Sequence, residues 1–206
     1  MAVTKLAGER IVFSNAAYLY VTPYVEGSET QIGDTTYDIV DIVGDSLSFT
    51  PDDNTVNTKE WEFGDTPLVE TTTLGKIQFA ATCIDFRNEV MKAIFGWKEL
   101  GTALIAPNAY KDLYAVVEVG FNGEDTVLVV PKLKLNSKAV ISTLKTGTGE
   151  GQLAGTAYSV DFTVGEDSDS TPMAFVPKDT TYKVGVGAAQ KSFKAGKGDD
   201  YGIQGA

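Results

Sequence analysis

The hydrophobic period of this chain changes at one place, between Ile77 and Trp97, and this change limits the folds open to it. From Ile77 to Ile84 apolar and polar residues alternate, as in a half-buried strand. After Asp85 the apolar residues fall on one helical stripe, and Gly96 stands where a helix commonly ends in the left-handed conformation. The pattern predicts one amphipathic helix of about three turns, capped by Asp85, beside a chain of strands and loops.

Apolar and alternating runs elsewhere predict strands separated by turns. In chain order these are one or two short strands in Ile11–Val25, an interrupted strand in Tyr37–Phe49, a hairpin of Leu113–Phe121 and Thr126–Leu135 joined at Asn122-Gly123, a β-like run in Lys138–Leu144, a strand in Ala157–Val164, and short strands in Met173–Val176 and Tyr182–Val186. Gly147–Gly155 is predicted to be a flexible connection and Glu166–Thr171 an acidic loop. The residues thus indicate a mainly β protein.

The returning strand of the predicted hairpin contains Pro131, which favours an edge or a break. Strict alternation places four apolar residues on one side of this strand and two lysines on the other. The apolar residues are Val127, Val129, Leu133 and Leu135, and the lysines are Lys132 and Lys134.

The longest section without periodicity runs from Thr50 to Leu74. Structureless connections of this length are uncommon in compact domains unless they are functional or disordered, and disordered segments are poor in aromatic residues. Trp61 and Phe63 therefore favour a long loop or extended hairpin that presents these rings to a partner. The alternative is that both rings fold back onto the chain's own core.

The net charge of −11 is concentrated in one stretch. Residues 26 to 70 contain twelve acidic residues and a single basic residue, Lys59, whereas acids and bases balance in the remainder. This stretch predicts a strongly negative surface or lining, which repels nucleic acid. An acidic face that only keeps the protein soluble is the alternative.

Composition argues against most kinds of active site. Histidine is absent, which removes the commonest general base and zinc ligand, and carboxylate-only or lysine-based chemistry is what remains. Cys83, the single cysteine, is expected to be a buried structural thiol. No catalytic, cofactor-binding or metal-binding residue is predicted. No apolar run is long enough to cross a bilayer and Met1–Arg10 lacks the regions of a signal peptide, so synthesis and retention in a cytosol are expected.

The order of the pieces resembles the tail tube (major tail) proteins of long-tailed bacteriophages, whose fold is also similar to the tube protein of type VI secretion. The likeness extends from about Tyr37 to Val164. It is carried by Thr73-Leu74-Gly75-Lys76 leading into Ile77–Cys83, by Asp85-Phe86-Arg87-Asn88-Glu89-Val90, by Lys134–Ala139 with Thr143–Gly147, and by Leu153–Tyr158.

The resemblance implies one domain over residues 1–206, with a flexible N-terminal arm and a loose C-terminal tail from about residue 188. Its fold would be an antiparallel β-sandwich or half-open barrel with one flanking α-helix and a long inter-strand loop. Six subunits would form a ring with a continuous β-lined channel, and rings would stack through the long loop and the termini. DNA would pass without specific binding, and no membrane is involved.

The same resemblance implies a structural virion protein of the tail, made in the host bacterial cytoplasm. Its partners would be copies of itself and other phage tail proteins, namely the tape measure, the terminator, and the baseplate or tip. Candidate inter-subunit contacts are Trp61, Phe63, Pro67 and Leu68, and candidate acidic residues of the channel are Asp38, Asp41, Asp45, Glu60 and Glu62.

Two other classes stay open. A soluble β-sandwich module that binds a ligand such as carbohydrate could use Trp61, Phe63 and Trp97. A carboxylate-based hydrolase would require a cleft with paired acids.

Overall fold

A computed structural model describes residues 16–40, 42–43, 46–53, 55–61, 64–73, 75–108, 111–140, 149–185 and 187–196. For 55–61, 64–73, 111, 140 and 188 it describes the backbone alone. Antiparallel strands dominate these residues, with one short α-helix. The mainly β prediction is therefore confirmed; the arrangement is consistent with a β-sandwich and does not close into a barrel.

The strands are β1 (Ala16–Pro23), β2 (Tyr37–Ile39), β3 (Ser48–Pro51), β4 (Thr55–Trp61), β5 (Gly64–Thr73), β6 (Ile77–Cys83), β7 (Lys98–Leu100), β8 (Ala103–Ile105), β9 (Lys111–Phe121), β10 (Thr126–Val140), β11 (Glu150–Ala157), β12 (Val160–Val164), β13 (Asp167–Thr171), β14 (Ala174–Pro177), β15 (Thr181–Val184) and β16 (Lys191–Lys194). The helix α1 spans Asn88–Ala93, and a 3₁₀ turn spans Gly187–Ala189.

Two sheets and two hairpins make up this fold. The main sheet has the order β2-β1-β9-β10-β11-β6-β3, and β14 pairs with the first half of β10. The second sheet has the order β13-β12-β15-β16, whereas β4–β5 and β7–β8 each form a separate two-stranded sheet.

Each face of the main sheet has its own apolar core. Core 1 lies on the face that α1 covers, and core 2 lies on the opposite face beneath the second sheet. The most buried residues of core 1 include Leu19, Val117, Leu133, Leu135 and Phe95, and those of core 2 include Val127, Val129, Tyr182 and Val184. The second sheet packs over β9 and the first half of β10, and the described residues of the second sheet do not extend over the rest of that face.

A bulge in β10 corrects the predicted alternation of that strand. The register of β10 against β9 shifts between Val130 and Leu133, around Pro131. One extra residue in a strand reverses the faces that its side chains point to. Val127 and Val129 therefore enter core 2 while Leu133 and Leu135 enter core 1, so the four apolar residues do not share a side. At Pro131 the strand is neither an edge nor interrupted, since β10 continues from Thr126 to Val140 between β9 and β11 and only its register shifts.

The helix is shorter than predicted and is not capped by Asp85. It has six residues, and its N-cap position is Arg87, which has an extended backbone and makes no capping bond. The Asp85 carboxylate instead accepts hydrogen bonds from the backbone nitrogens of Val40 and Arg87, so the chain before Asn88 stays extended. Gly96 has the predicted left-handed backbone, with a φ of 74°, but the helix ends three residues earlier, at Ala93.

Three segments predicted to lack regular structure prove to contain strands. β11 occupies most of the predicted connection Gly147–Gly155 and lies between β10 and β6. β13 occupies the predicted acidic loop, and β16 lies within the tail predicted to be loose from residue 188, where Phe193 is buried. In addition, the strand predicted over Ala157–Val164 is interrupted, since β11 ends at Ala157 and β12 begins at Val160.

Candidate functional site

The hairpin β4–β5 carries most of the predicted inter-subunit contacts. It is the extended hairpin, one of the two forms predicted for this section, and it pairs with no other described strand. Trp61 pairs with Gly64 and Glu60 with Pro67, so Trp61, Pro67 and Leu68 lie at the same end of the hairpin. Phe63 lies outside the described residues. Whether these positions contact another subunit stays a prediction.

Of the five acidic residues predicted to line a channel, the structure describes two, so this lining stays a prediction. Asp38 lies in β2 and is half-buried, and Glu60 lies in β4. Asp41, Asp45 and Glu62 lie outside the described residues. Burial, and secondarily the charge of Asp85, raises the pKa of Asp38 against the opposing effect of Arg87.

Among the described residues nothing covers part of one face of the main sheet, and this surface was not predicted as a site. It lies on the core 2 side of β9, β10, β11, β6 and β3, below the region that the second sheet covers. We call it the open face. The strand registers define two rows across it: Tyr114, Lys134, Thr156, Gln78 and Thr50 in one, and Asp112, Asn136, Ala154, Ala80 and Ser48 in the other. The second row is exposed at every position.

Side-chain hydrogen bonds link the strands of the open face. The Asn136 amide donates to Asp112 Oδ1 over 2.9 Å, and Thr156 Oγ1 donates to Gln78 Oε1 over 2.9 Å. Gln78 Nε2 in turn donates to Asp52 Oδ2 over 2.7 Å, just beyond the end of β3. These bonds tie neighbouring strands together and hold the polar side chains in fixed positions.

Charges on the open face nearly balance. Lys134 Nζ lies 3.6 Å from Asp112 Oδ2, and Lys132 Nζ lies 3.9 Å from Glu29 at the upper rim. Lysine ammonium groups also lie over the rings at this rim, with Lys132 Nζ 4.6 Å from the Tyr114 centroid and Lys76 Nζ 5.4 Å from that of Tyr158. The surface is therefore polar without being strongly acidic or basic.

The outermost strands of the two sheets differ in charge. β3 is the last strand of the main sheet and contains Ser48, Phe49, Thr50 and Pro51. β13 is an outer strand of the second sheet and exposes Asp167 and Asp169. Charged residues on an edge strand oppose pairing with another chain. The edge of the main sheet at β3 is thus the better candidate for pairing between subunits.

The ion pair between Arg87 and Asp85 fixes the chain that follows β2. Burial would raise the pKa of Asp85, but the hydrogen bonds of Arg87 and the amide of Val40 outweigh this effect and lower it. Arg87 Nη2 lies 2.6 Å from Asp85 Oδ2 and also donates to the carbonyl oxygen of Asp38. Further along, Ile42 forms a bridge with Cys83. These contacts hold the chain across the end of core 1 that α1 covers.

The open face could have been found from the polar phase of the alternation in β6 and β10, where Gln78, Lys132 and Lys134 stand. The full extent of the open face could not have been predicted, because β11, which crosses it, was not predicted. Within the described ranges no group of three acidic or cysteine side chains is arranged to hold a metal ion, and no helix is long and apolar enough to span a bilayer.

Comparisons with models of protein families, with curated proteins and with solved structures found no match to this chain. The functional argument therefore depends on the surfaces themselves.

Proposed function

We propose that the chain is a subunit of a phage-type tail tube, in which six copies form a ring and rings stack into a channel for DNA. The observation that carries the proposal is the open face: a polar surface across five strands that no described part of the chain covers, beside a hairpin that leaves the sheet. A protein that acts as a single copy has little use for a long unpaired hairpin and an uncharged sheet edge. Both fit a subunit that is completed by copies of itself.

In this proposal each surface has its own role. The β3 edge pairs with the neighbouring subunit of the ring, and the end of β4–β5 that carries Trp61 contacts the next ring. The open face lines the channel, where short polar side chains and balanced charges neither hold nor strongly repel phosphate. The acidic residues predicted to line the channel, Asp38, Asp41, Asp45, Glu60 and Glu62, stay part of the proposal as a source of negative charge. The assembled tube belongs to the virion, with other tail proteins at its ends.

The carbohydrate-binding alternative receives less support from the aromatic side chains that are described. Trp97 packs against core 1, so its ring is not part of an exposed platform. Lysine ammonium groups lie over Tyr114 and Tyr158, where a sugar would have to stack.

The proposal is tested by concentrating the purified protein and examining it by size-exclusion chromatography and negative-stain electron microscopy. Rings or tubes are expected, and a strict monomer at every concentration would refute the proposal.

Trp61→Ala should give folded subunits that no longer polymerise, because interface contacts centred on a large aromatic lose most of their affinity when it is truncated. Thr72→Ala, at the opposite end of the same hairpin, is the matched control and should assemble normally. Normal tubes from Trp61→Ala would refute the role of Trp61 in ring stacking but not the proposal that the protein forms tubes.

A further inference from the structure

The second sheet separates its charges by strand. Residues 160–171, which form β12 and β13, contain four acidic residues and no basic residue, namely Asp161, Glu166, Asp167 and Asp169. Residues 181–194, which include β15 and β16, contain three basic residues and no acidic residue, namely Lys183, Lys191 and Lys194. Because the strand order is β13-β12-β15-β16, the sheet has an acidic side and a lysine side.

The acidic side presents its charges to solvent. Glu166, Asp167 and Asp169 are all exposed. Among the described residues, no lysine or arginine forms an ion pair with any of these three carboxylates. Their negative charges are therefore available to a positively charged partner.

The lysine side carries charges of the opposite sign. Lys183 is exposed on β15. On β16, Lys191 Nζ lies 3.3 Å from Asp34 Oδ1 and Lys194 Nζ lies 3.9 Å from Asp179 Oδ1. Both of these carboxylates are exposed, and ion pairs between exposed groups contribute little to stability. The lysine side can therefore attract carboxylates of another molecule.

The two charged sides lie on opposite sides of the molecule. β13 leads into β14, which pairs with β10 on the side away from β9, where β11, β6 and β3 also lie. β16 lies on the other side, since Lys191 donates a hydrogen bond to the carbonyl oxygen of Gly33, between β1 and β2. The acidic side thus belongs to the β3 side of the main sheet, and the lysine side belongs to the β2 side.

We propose that the acidic side of one copy docks against the lysine side of the next copy in the ring. This inference rests on the proposed tube, in which the β3 edge faces a neighbouring subunit. In a closed ring each subunit contacts its neighbours through two different sides, and here these sides carry opposite charges. Two acidic sides repel each other, which opposes a two-fold dimer through β13 and favours head-to-tail contact. The contact joins side chains and needs no backbone pairing of β13.

Charge reversal tests this contact. The acid-reversed variant combines Glu166→Lys, Asp167→Lys and Asp169→Lys. The lysine-reversed variant combines Lys183→Glu and Lys194→Glu, and keeps Lys191 because that side chain binds the chain between β1 and β2. Each variant alone places like charges at every contact, so neither should form rings under conditions in which the wild type does.

An equal mixture of the two variants should form rings again, because every contact in an alternating ring then joins opposite charges. Six positions allow the two variants to alternate. The readouts are size-exclusion chromatography and negative-stain electron microscopy, with circular dichroism to show that each variant is folded.

The matched control combines Glu99→Lys, Glu124→Lys and Asp125→Lys, which reverse the same number of carboxylates on β7 and in the turn after β9. It should form rings as the wild type does. Rings from either reversed variant alone, or no rings from the mixture of folded variants, would overturn the contact and leave the tube proposal standing. A wild type that stays monomeric at every concentration would refute the tube and this contact together.

Discussion

Ser137 is a buried polar residue that we expect to lower the stability of the fold. Its side chain is fully buried on the core 1 face of β10, opposite Leu153, and its hydroxyl has no hydrogen-bond partner among the described residues. A buried hydroxyl without a partner costs about 1–3 kcal/mol in desolvation. Ser137→Ala removes this group and little volume, so we expect the free energy of unfolding in urea to rise by about 1 kcal/mol. Ser170→Ala, on the exposed β13, should change it by less than about 0.5 kcal/mol. A clear loss of stability in Ser137→Ala would mean that the hydroxyl has a partner.

Asp85 makes stability depend on pH in a defined direction. Its pKa in the folded protein is lowered from 3.8, because the bonds from Arg87 and the Val40 amide outweigh the effect of burial. A lowered folded-state pKa stabilises the fold above the unfolded pKa, and this contribution is lost as the pH falls through the folded pKa. Asp85→Asn keeps the shape and removes the charge, so it should cost about 1–3 kcal/mol at pH 7 and progressively less below pH 3.8.

The measurement for Asp85 is urea unfolding of the wild type and Asp85→Asn at pH 7 and at pH 3. Asp112→Asn, on the exposed end of the open face, is the control for a general effect of removing a carboxylate. A constant difference between wild type and Asp85→Asn at both pH values would show that the carboxylate charge does not contribute.

Among the elements, β11 depends on two glycines, a residue that is uncommon within strands. A Cβ atom at Gly155 would lie 2.5 Å from the carbonyl oxygen of Lys134, and one at Gly151 would lie 2.5 Å from the ring of Phe95. The first contact involves backbone of the paired strand β10, which cannot move without breaking the sheet. Glycine is thus required at position 155 by close packing of the backbone, although it weakens a strand elsewhere.

Gly155→Ala should destabilise the protein by about 1–3 kcal/mol, because the added methyl group forces β10 and β11 apart. The change is measured as a shift of the urea midpoint at an unchanged m-value. Ala154→Ser, one residue away on the exposed face, is the matched control and should have little effect. A stability equal to that of the wild type in Gly155→Ala would show that β10 and β11 can adjust.

The elements that sequence predicted well are those with a strong local signal. β6 alternates as its sequence does, with Phe79, Ala81 and Cys83 buried and Ala80 exposed, and Gly123 has the positive φ that an Asn-Gly turn requires. β11 was missed because its glycines are explained by neighbours distant in sequence. The two sides of β10 were assigned wrongly because a bulge changes phase without changing composition. The open face could not be predicted in full for the same reasons.

At the scale of the whole molecule, one carboxylate joins the two sheets. Glu118 lies on β9 and is 3% exposed between the main sheet and the second sheet. It accepts hydrogen bonds from the hydroxyls of Tyr18 on β1 and Tyr182 on β15, over 3.1 and 2.9 Å, and from the backbone nitrogen of Gly196, over 2.9 Å. The Tyr182 ring also stacks between Phe162 and Phe193 in core 2. Three donors from three parts of the chain thus converge on one side chain.

Glu118→Gln should loosen the second sheet more than the main sheet. A glutamine amide offers one acceptor oxygen and places an NH₂ donor against donors, so about 1.5–3 kcal/mol of stability should be lost. In hydrogen exchange, the amides of β15 and β16 should lose protection first, while those at the centre of β9 and β10 keep theirs, because core 1 still holds the main sheet together. Glu166→Gln, on the exposed turn after β12, should alter neither stability nor exchange. A uniform loss of protection across both sheets in Glu118→Gln would show that they unfold as one unit and that Glu118 does not act as a separate link.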